Sequence, residues 1–341
     1  MSACSGLPTT MDLCGIAAIH SLWIVSLAGI LAEVLLLFPR SARWRSKIGL
    51  LLLTSTVILT VGVFVALQSG QLSNWPIWSG RQIFGLTYAS WIGAFILAGI
   101  MIRSLQLGAS LAFVSFLRRT SFEAPPVHWG DIQGKTAKAE VRITSTRWLQ
   151  HPVTIGWWRP LILIPGHFAV RLSADQARIL VAHESCHIEN RDFVWNLLQS
   201  LAELILFYHP ATWLLSWRIR MEREFACDDR VISSGTNPID YAKVLAFLES
   251  SRGVLQPLLM ASNGAPLLLR IQRVLGRGEK KYLSLVRLSF IMLCAVTGGI
   301  ASSGVASSGS ELDSRLDWEQ RMQDEQLPTP EVFSTYCCPA G

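Results

Sequence analysis

Two histidines separated by one helical turn are the residues best suited to chemistry in this sequence. His183, Glu184 and His187 form the pattern H-E-x-x-H. Residues four apart lie on one face of a helix, so both imidazoles can reach one Zn²⁺ at about 2.0 to 2.1 Å while Glu184 approaches a metal-bound water. The spacing therefore predicts a zinc site in which the two histidines are ligands and Glu184 is the general base of a hydrolase.

A catalytic zinc ion keeps three protein ligands, so a third must come from elsewhere in the chain. Glu224 and Asp228 are four residues apart and share a helix face, whereas Glu222 is rotated by roughly 200° to the other side. We assign Glu224 as the third ligand and Asp228 as the carboxylate that orients a ligand histidine. Cys227 is an alternative ligand, because thiolates bind zinc well, although a thiolate lessens the Lewis acidity that a hydrolase needs.

The flanking sequence predicts the elements that position these residues. Ser173 followed by Gln176 is typical of a capping box, and it predicts the start of the helix that carries H-E-x-x-H. Another helix is expected to begin at Pro210 and to carry the acidic residues. Three short segments that alternate or are β-branched predict a small sheet before both helices: 139–144, 153–155 and 161–164.

The composition is that of a membrane protein. Charged residues make up 16% of the 341 residues and hydrophobic residues 50%, against roughly 25% charged residues in a soluble domain. A helix that crosses the hydrocarbon core needs about 20 apolar residues. Four segments are predicted to cross: 16–38, 48–67, 83–102 and 288–305. Segment 197–217 is also apolar, but Glu203, His209 and Pro210 interrupt it, so we expect a domain helix lying against the bilayer or the other helices.

Basic residues beside the spans predict the orientation in the membrane. Arg40, Arg43, Arg45 and Lys47 follow the first span, and further basic residues flank the third and fourth spans. Because basic residues resist translocation, this charge indicates membrane topology and no direct contact with nucleic acid. The predicted organisation has four parts: a membrane region at 1–117, a cytoplasmic α+β domain at 118–281, a fourth transmembrane helix at 282–305 and a short acidic tail at 306–341, with both termini extracytoplasmic.

Taken together, these motifs resemble the gluzincin metallopeptidases, and in particular peptidase family M56, the membrane peptidases of the BlaR and MecR type. Outside the zinc motifs, the resemblance rests on a run from Pro152 to Pro165, on Arg191-Asp192 and Asn196, on His209-Pro210, and on Arg223-Glu224-x-x-Cys227-Asp228-Asp229. It covers roughly residues 15 to 305. The resemblance implies a gluzincin-type zinc peptidase domain with His183, His187 and Glu224 as zinc ligands and Glu184 as general base.

Family members with known roles are signal-activated antirepressors of a bacterial-type cytoplasmic membrane. In them an extracellular domain after the last span senses a β-lactam, and the cytoplasmic peptidase leads to loss of a winged-helix repressor. The resemblance implies an integral-membrane zinc endopeptidase that cleaves itself or a cytoplasmic regulator, with such a repressor as a candidate substrate. Only 36 residues follow Val305, without Ser-x-x-Lys, so we expect this chain to lack the C-terminal sensor domain.

Two alternative functions fit the same sequence. The chemistry could serve a membrane protein quality-control protease resembling family M48, although the run from Pro152 to Pro165 favours M56. The chain could instead be a non-catalytic membrane signal transducer with a structural metal site, but such a site has no use for Glu184 as a general base. For a peptidase, we expect a substrate strand to pair with the edge of the sheet region 153–164.

Overall fold

The computed structural model describes residues 10–36, 41–69, 86–121, 140–144, 149, 151–250 and 267–276. Within them, three long helices are followed by a small sheet and six further helices. The elements in chain order are α1 (Thr10–Leu36), α2 (Ala42–Gln68), α3 (Leu86–Thr120), β1 (Glu140–Thr144), β2 (Val153–Ile155), β3 (Leu161–Pro165), α4 (Gly166–Arg171), α5 (Ala174–Glu189), α6 (Asp192–Ile205), α7 (Pro210–Ser233), α8 (Pro238–Ser250) and α9 (Leu267–Val274).

Helices α1, α2 and α3 are long and apolar enough to cross a membrane. They contain the described parts of the three predicted spans, and α3 continues well past the predicted end of its span to Thr120. Many of their large apolar side chains are exposed, among them Leu51, Ile58 and Trp91, as expected of surfaces that lipid would cover. The predicted fourth span at 288–305 and the acidic tail lie outside the described residues.

The three described strands form one mixed sheet in the order β1-β3-β2. Strand β3 lies in the centre, parallel to β1 and antiparallel to β2. All five residues of β3 are apolar and buried. They are buried because α5 covers one face of the sheet and the end of α3 packs on the other. The hydrophobic contacts of Leu117 with Ile155 and Leu163 attach this sheet to the third membrane helix.

The apolar segment 197–217 does not form one continuous helix. Helix α6 ends at Ile205, and α7 begins at Pro210, the predicted start. The two helices form a hairpin that packs against α1, α2 and α3. Helix α7 lies antiparallel to α2, with Leu215 and Ile219 against Leu50 and Leu53.

Candidate metal centre

Helix α5 presents the two histidines of the H-E-x-x-H motif to one point. The helix starts at the predicted capping box, where the side chain of Ser173 accepts from the backbone N–H of Gln176 and the Gln176 side chain accepts from the N–H of Ser173. One turn separates His183 from His187, and their ring centroids lie 5.0 Å apart. Both rings are therefore held by a helix whose start is fixed by its own sequence.

Glu224 on α7 faces both histidines. Its Oε2 lies 3.5 Å from Nε2 of His183, and its Oε1 lies 3.8 Å from Nε2 of His187. One ligand atom from each of these three residues lies within 4.8 Å of the other two. Two imidazole nitrogens and one carboxylate oxygen at this separation fit a single divalent ion such as Zn²⁺.

Glu184 lies beside this cluster, on the wall of a cavity of about 830 Å³. The hydroxyl of Thr154 on β2 donates a 2.7 Å hydrogen bond to Oε2 of Glu184. The carboxylate is mostly buried, so this bond fixes its direction and leaves Oε1 for another partner. No local pattern in the sequence marks Thr154 as a partner of Glu184, because only the packing of β2 against α5 brings the two side chains together.

His187 is oriented by an acid that the sequence analysis mentioned only as part of the family resemblance. Its Nδ1 lies 2.7 Å from Oδ2 of Asp192 in the first turn of α6. Between α5 and α6, Arg191 has the left-handed backbone conformation, with φ of 57°, and this tight turn brings Asp192 back to the histidine. Because the carboxylate occupies Nδ1, Nε2 of His187 points toward Glu224 and stays available for a metal. This is the usual arrangement around histidine metal ligands.

His183 is oriented through a tyrosine that the sequence analysis missed. The hydroxyl of Tyr241 on α8 lies 2.9 Å from Nδ1 of His183 and donates to Oδ1 of Asp228 at 2.5 Å. Asp228 itself is 3.6 Å from that nitrogen. The predicted support from Asp228 is therefore relayed by a hydroxyl, and no local pattern around Tyr241 marks it in the sequence.

Arg270 on α9 neutralises the acidic side of the cluster. Its Nη2 and Nε donate to the two carboxylate oxygens of Asp228 at 2.6 and 3.0 Å, and its Nη1 is 2.9 Å from Oε2 of Glu224. Burial by itself would raise the pKa of Glu224, but Arg270 and the two histidines hold that pKa well below its ordinary value. Glu224 is therefore an anion, as a metal ligand must be.

Two other residues of α7, Glu222 and Cys227, lie away from the point where the three ligand atoms meet. Glu222 is fully buried on the opposite side of α7, as its spacing predicts, and there it pairs with Arg45 of α2 and with Arg218. The thiol of Cys227 lies 3.5 Å from Nδ1 of His187, the nitrogen that faces away from Glu224. Burial raises the pKa of Cys227 well above its ordinary value, which disfavours the thiolate that a ligand would need.

Comparison with known proteins identifies the family. The family model described as BlaR1 peptidase M56 matches residues 11–273. Two relatives are each named Regulatory protein BlaR1. The one from Bacillus licheniformis is 27% identical over 135 residues, which cover 37% of this chain and 22% of the relative. The one from Staphylococcus aureus is 23% identical over 97 residues, which cover 28% of this chain and 17% of the relative. The alignments thus span about a fifth of each relative's length.

The chain belongs to the M56 peptidase family, as the resemblance of its motifs implies. Because the matched residues contain α1, α2, α3 and the cluster of His183, His187 and Glu224, the chain is a membrane protein with a peptidase domain. Its described residues include a group suited to hold a metal ion.

Proposed function

We propose that the chain is an integral-membrane zinc endopeptidase, with His183, His187 and Glu224 as zinc ligands and Glu184 as general base. The observation that carries the proposal is the convergence of Nε2 of both histidines and the Glu224 carboxylate within 4.8 Å. Those ligand atoms come from two helices, and Glu184 lies on the adjoining cavity wall. A purely structural site would not need the additional acid at the cavity.

The reaction follows from the groups around the cavity. Bound zinc would supply a Lewis acid that polarises a peptide carbonyl and lowers the pKa of water to about 7. Glu184 takes the proton from the attacking water and later gives it to the leaving amine. Thr154 keeps one oxygen of Glu184 occupied, so the proton moves on and off the other oxygen. Asp192 and Tyr241 hold the two imidazoles in the required tautomer.

Strand β2 offers a place for the substrate backbone. Within the described residues it pairs only with β3 and its other edge has no strand partner, and it carries Thr154 beside Glu184. An extended peptide that adds to this edge would gain main-chain hydrogen bonds. Its scissile carbonyl would then lie next to the general base. This docking supports cleavage within a polypeptide rather than at its end.

The regulatory part of the proposal rests on the relatives. Both carry the name of a regulatory protein, and we propose that this chain likewise cleaves a cytoplasmic regulator or itself, with a winged-helix repressor as a candidate substrate. The proposal includes the membrane arrangement drawn from charge: a cytoplasmic peptidase domain at 118–281, a fourth helix at 282–305 and extracytoplasmic termini. It places the chain in a bacterial-type cytoplasmic membrane.

The test compares cells that produce the native chain with cells that produce Glu184→Gln. The variant should bind zinc as the native protein does, because Glu184 is not a ligand, while cleavage should fall by roughly 10² to 10⁴, the usual contribution of a general base. Quantitative proteomics identifies peptides that accumulate only with the native chain, and metal analysis of both purified proteins gives the zinc content.

A matched control is Glu189→Gln, which makes the same change on the same helix at an exposed residue paired with Arg230. It should leave both cleavage and zinc content unchanged. Zinc binding in all three proteins with identical peptide profiles would refute the peptidase role. Loss of zinc from Glu184→Gln would instead contradict the assignment of ligands and base.

A further inference from the structure

The turn between α6 and α7 contacts the centre of the first membrane helix. Nε2 of His209 donates to the backbone carbonyl of Leu22 at 2.9 Å, and the hydroxyls of Tyr208 and Ser21 share a 2.7 Å hydrogen bond. The apolar segment of α1 runs from Leu13 to Ala32, so Leu22 lies roughly 15 Å from either end at about 1.5 Å per residue. That distance is half the thickness of the hydrocarbon core, which is about 30 Å.

The other two membrane helices place the turn at a similar depth. Val57, in the middle of the predicted span 48–67, packs with Leu206 and Ala211 at the two ends of the turn. The ring of Phe207, in the turn, lies 6.0 Å from the ring of Phe95 on α3. Phe95 belongs to the predicted span 83–102. Phe207 also lies so close to Gly99 that a Cβ there would overlap its ring.

Hydrogen bonds within the hairpin satisfy polar groups of the turn. The ring Nδ1 of His209 accepts from the backbone N–H of Ala211, and the indole of Trp213 donates to the carbonyl of Phe207 at 2.7 Å. The N–H of His209 donates to the carbonyl of Leu206, and Pro210 has no N–H to satisfy. A turn in hydrocarbon needs such internal partners because no water reaches it.

The two faces of the hairpin differ in the way that lipid requires. On the inner side Glu203 pairs with Arg220 at 2.5 Å, both mostly buried, as ionisable groups inside membranes do. The outer side of α6 exposes large apolar side chains instead: Trp195 at 36%, Leu198 at 37% and Leu201 at 42%. Water would be a poor solvent for this face.

We propose that α6 and α7 form a re-entrant hairpin that enters the membrane from the side of Arg43, Arg45 and Lys47, with its turn at mid-depth in the bilayer. The outer face of α6, around Leu198 and Leu201, contacts lipid acyl chains. The hairpin is thus a membrane-embedded part of the peptidase region in addition to the membrane-spanning helices.

The antiparallel packing of α7 on α2 gives the depth of the rest of the hairpin. Ile219 lies against Gly49, at the start of the predicted span, and Glu222 pairs with Arg45 just outside it. Residues of α7 up to about Ile219 are therefore within the hydrocarbon. Glu224 follows less than two turns later, at the level of the lipid headgroups.

Photo-crosslinking in proteoliposomes of phosphatidylcholine and phosphatidylglycerol tests the lipid contact. The photoreactive residue p-benzoylphenylalanine replaces Leu198 or Leu201 of the full chain. Leu51, 68% exposed on α2, is the positive control, and Ile239, 57% exposed at the start of α8, is the matched apolar control outside the hairpin. Mass spectrometry after illumination locates each adduct on the protein and on the lipid.

We expect adducts to acyl chains at positions 198, 201 and 51, and none at position 239. Adducts at position 51 without any at 198 and 201 would overturn the proposal. Crosslinks from 198 and 201 to residues 288–305 in place of phospholipid would also overturn it, because that segment and not lipid would then cover α6.

A second variant pair does not depend on the bulky probe. Leu201→Lys places a charge in hydrocarbon and should lower the ratio of folded to unfolded protein in membranes by about 10- to 100-fold. The upper value is the effect of a lysine at the centre of a membrane helix, and Leu201 lies about one and a half helical turns from the turn at mid-depth. Ile239→Lys makes the same change in water and should leave that ratio unchanged. Equal tolerance of both substitutions would contradict the embedded position of α6. None of these measurements requires peptidase activity, so they are independent of the proposed function.

Discussion

At the scale of single residues, each histidine of the cluster has a different partner on its second nitrogen. His187 has the carboxylate of Asp192, whereas His183 has the hydroxyl of Tyr241, which in turn donates to Asp228. If Nδ1–H of His183 donates to the Tyr241 oxygen, Nε2 keeps its lone pair for a metal. The direction of these hydrogen bonds is set by Asp228, because its carboxylate, paired with Arg270, accepts hydrogen bonds and donates none.

The first prediction concerns Tyr241. In Tyr241→Phe the hydroxyl is lost, so Nδ1 of His183 has no acceptor at 2.9 Å, and zinc affinity should fall by roughly 10- to 100-fold, the usual cost of removing such a partner. Competition with a chromophoric chelator measures the affinity. Tyr208→Phe makes the same change far from the metal centre and should leave the affinity unaltered. An unchanged affinity in Tyr241→Phe would show that the relay is unimportant.

The second prediction concerns the proton on His187. Burial lowers the pKa of His187, but the hydrogen bond to Asp192 and the charges of Glu224 and Glu184 outweigh it and raise the pKa to about 10. In the metal-free protein this group therefore adds stability below its unfolded pKa of about 6.5, and that stability is lost as the pH rises through 10. Zinc must displace the proton at pH 7.5, so affinity should rise with pH and about one proton should be released.

Calorimetric titration with zinc in buffers of different ionisation enthalpy measures this release. The observed heat should depend on the buffer for the native protein. In Asp192→Asn the pKa of His187 should fall, because the charged acceptor is gone, and fewer protons should be released at pH 7.5. A heat that does not vary with the buffer would mean that His187 is already neutral before zinc binds.

At the scale of elements, α7 joins the membrane helices to the metal centre by using its opposite faces. Glu222 is fully buried against α2, where it pairs with Arg45 and Arg218, while Glu224 points to α5. Two residues along a helix are about 200° apart, so Glu224, the proposed metal ligand, and Glu222 cannot exchange roles. The spacing of α7 thereby couples the position of the centre to that of α2.

The third prediction concerns this anchor. Glu222→Ala leaves Arg45 and Arg218 mostly buried without their carboxylate, and the free energy of unfolding should fall by about 3 to 5 kcal/mol. Thermal unfolding of the purified protein in detergent measures the change. Asp229→Ala breaks a more exposed pair with Arg273 and should cost no more than about 1 kcal/mol. Similar effects of both substitutions would indicate that the α2 contact contributes little.

At the scale of the whole molecule, apolar packing and not the metal centre accounts for most of the described fold. Separate hydrophobic clusters join α5 to the sheet, α7 to α2, and the end of α3 to β3. None of them includes a residue of the metal cluster. The proposed metal would therefore bind to a site that the chain has already assembled, unlike a small domain that folds only around zinc.

The fourth prediction follows from the separation between the apolar packing that stabilises the fold and the candidate metal centre. Removal of zinc with a chelator should abolish cleavage but leave the helical circular dichroism unchanged at 25 °C. Zinc restored to about 100 times its dissociation constant should stabilise the protein by about 2.7 kcal/mol, since it binds only the folded chain. Thermal unfolding with and without zinc measures the difference. A loss of helical signal on chelation would show that the fold depends on the metal.

Local rules were enough to predict several elements of the fold. The capping box at Ser173, the helix start at Pro210 and the three strands are set by neighbouring residues and are found where the sequence predicts them, within a residue or two. The opposite faces of Glu222 and Glu224 follow from helical periodicity alone. Three of the four predicted spans correspond to helices that are long and apolar enough to cross a membrane, and the fourth lies outside the described residues.

The sequence by itself thus determined the residue types of the metal centre, because H-E-x-x-H and the acids of α7 are fixed by spacing within single helices. Only the tertiary structure decided their partners. Thr154, Tyr241 and Arg270 come from three other elements, 13 to 87 residues from the side chains they contact, and such contacts leave no local pattern. The depth of the α6–α7 turn is also a tertiary property, because it depends on packing against α1, α2 and α3.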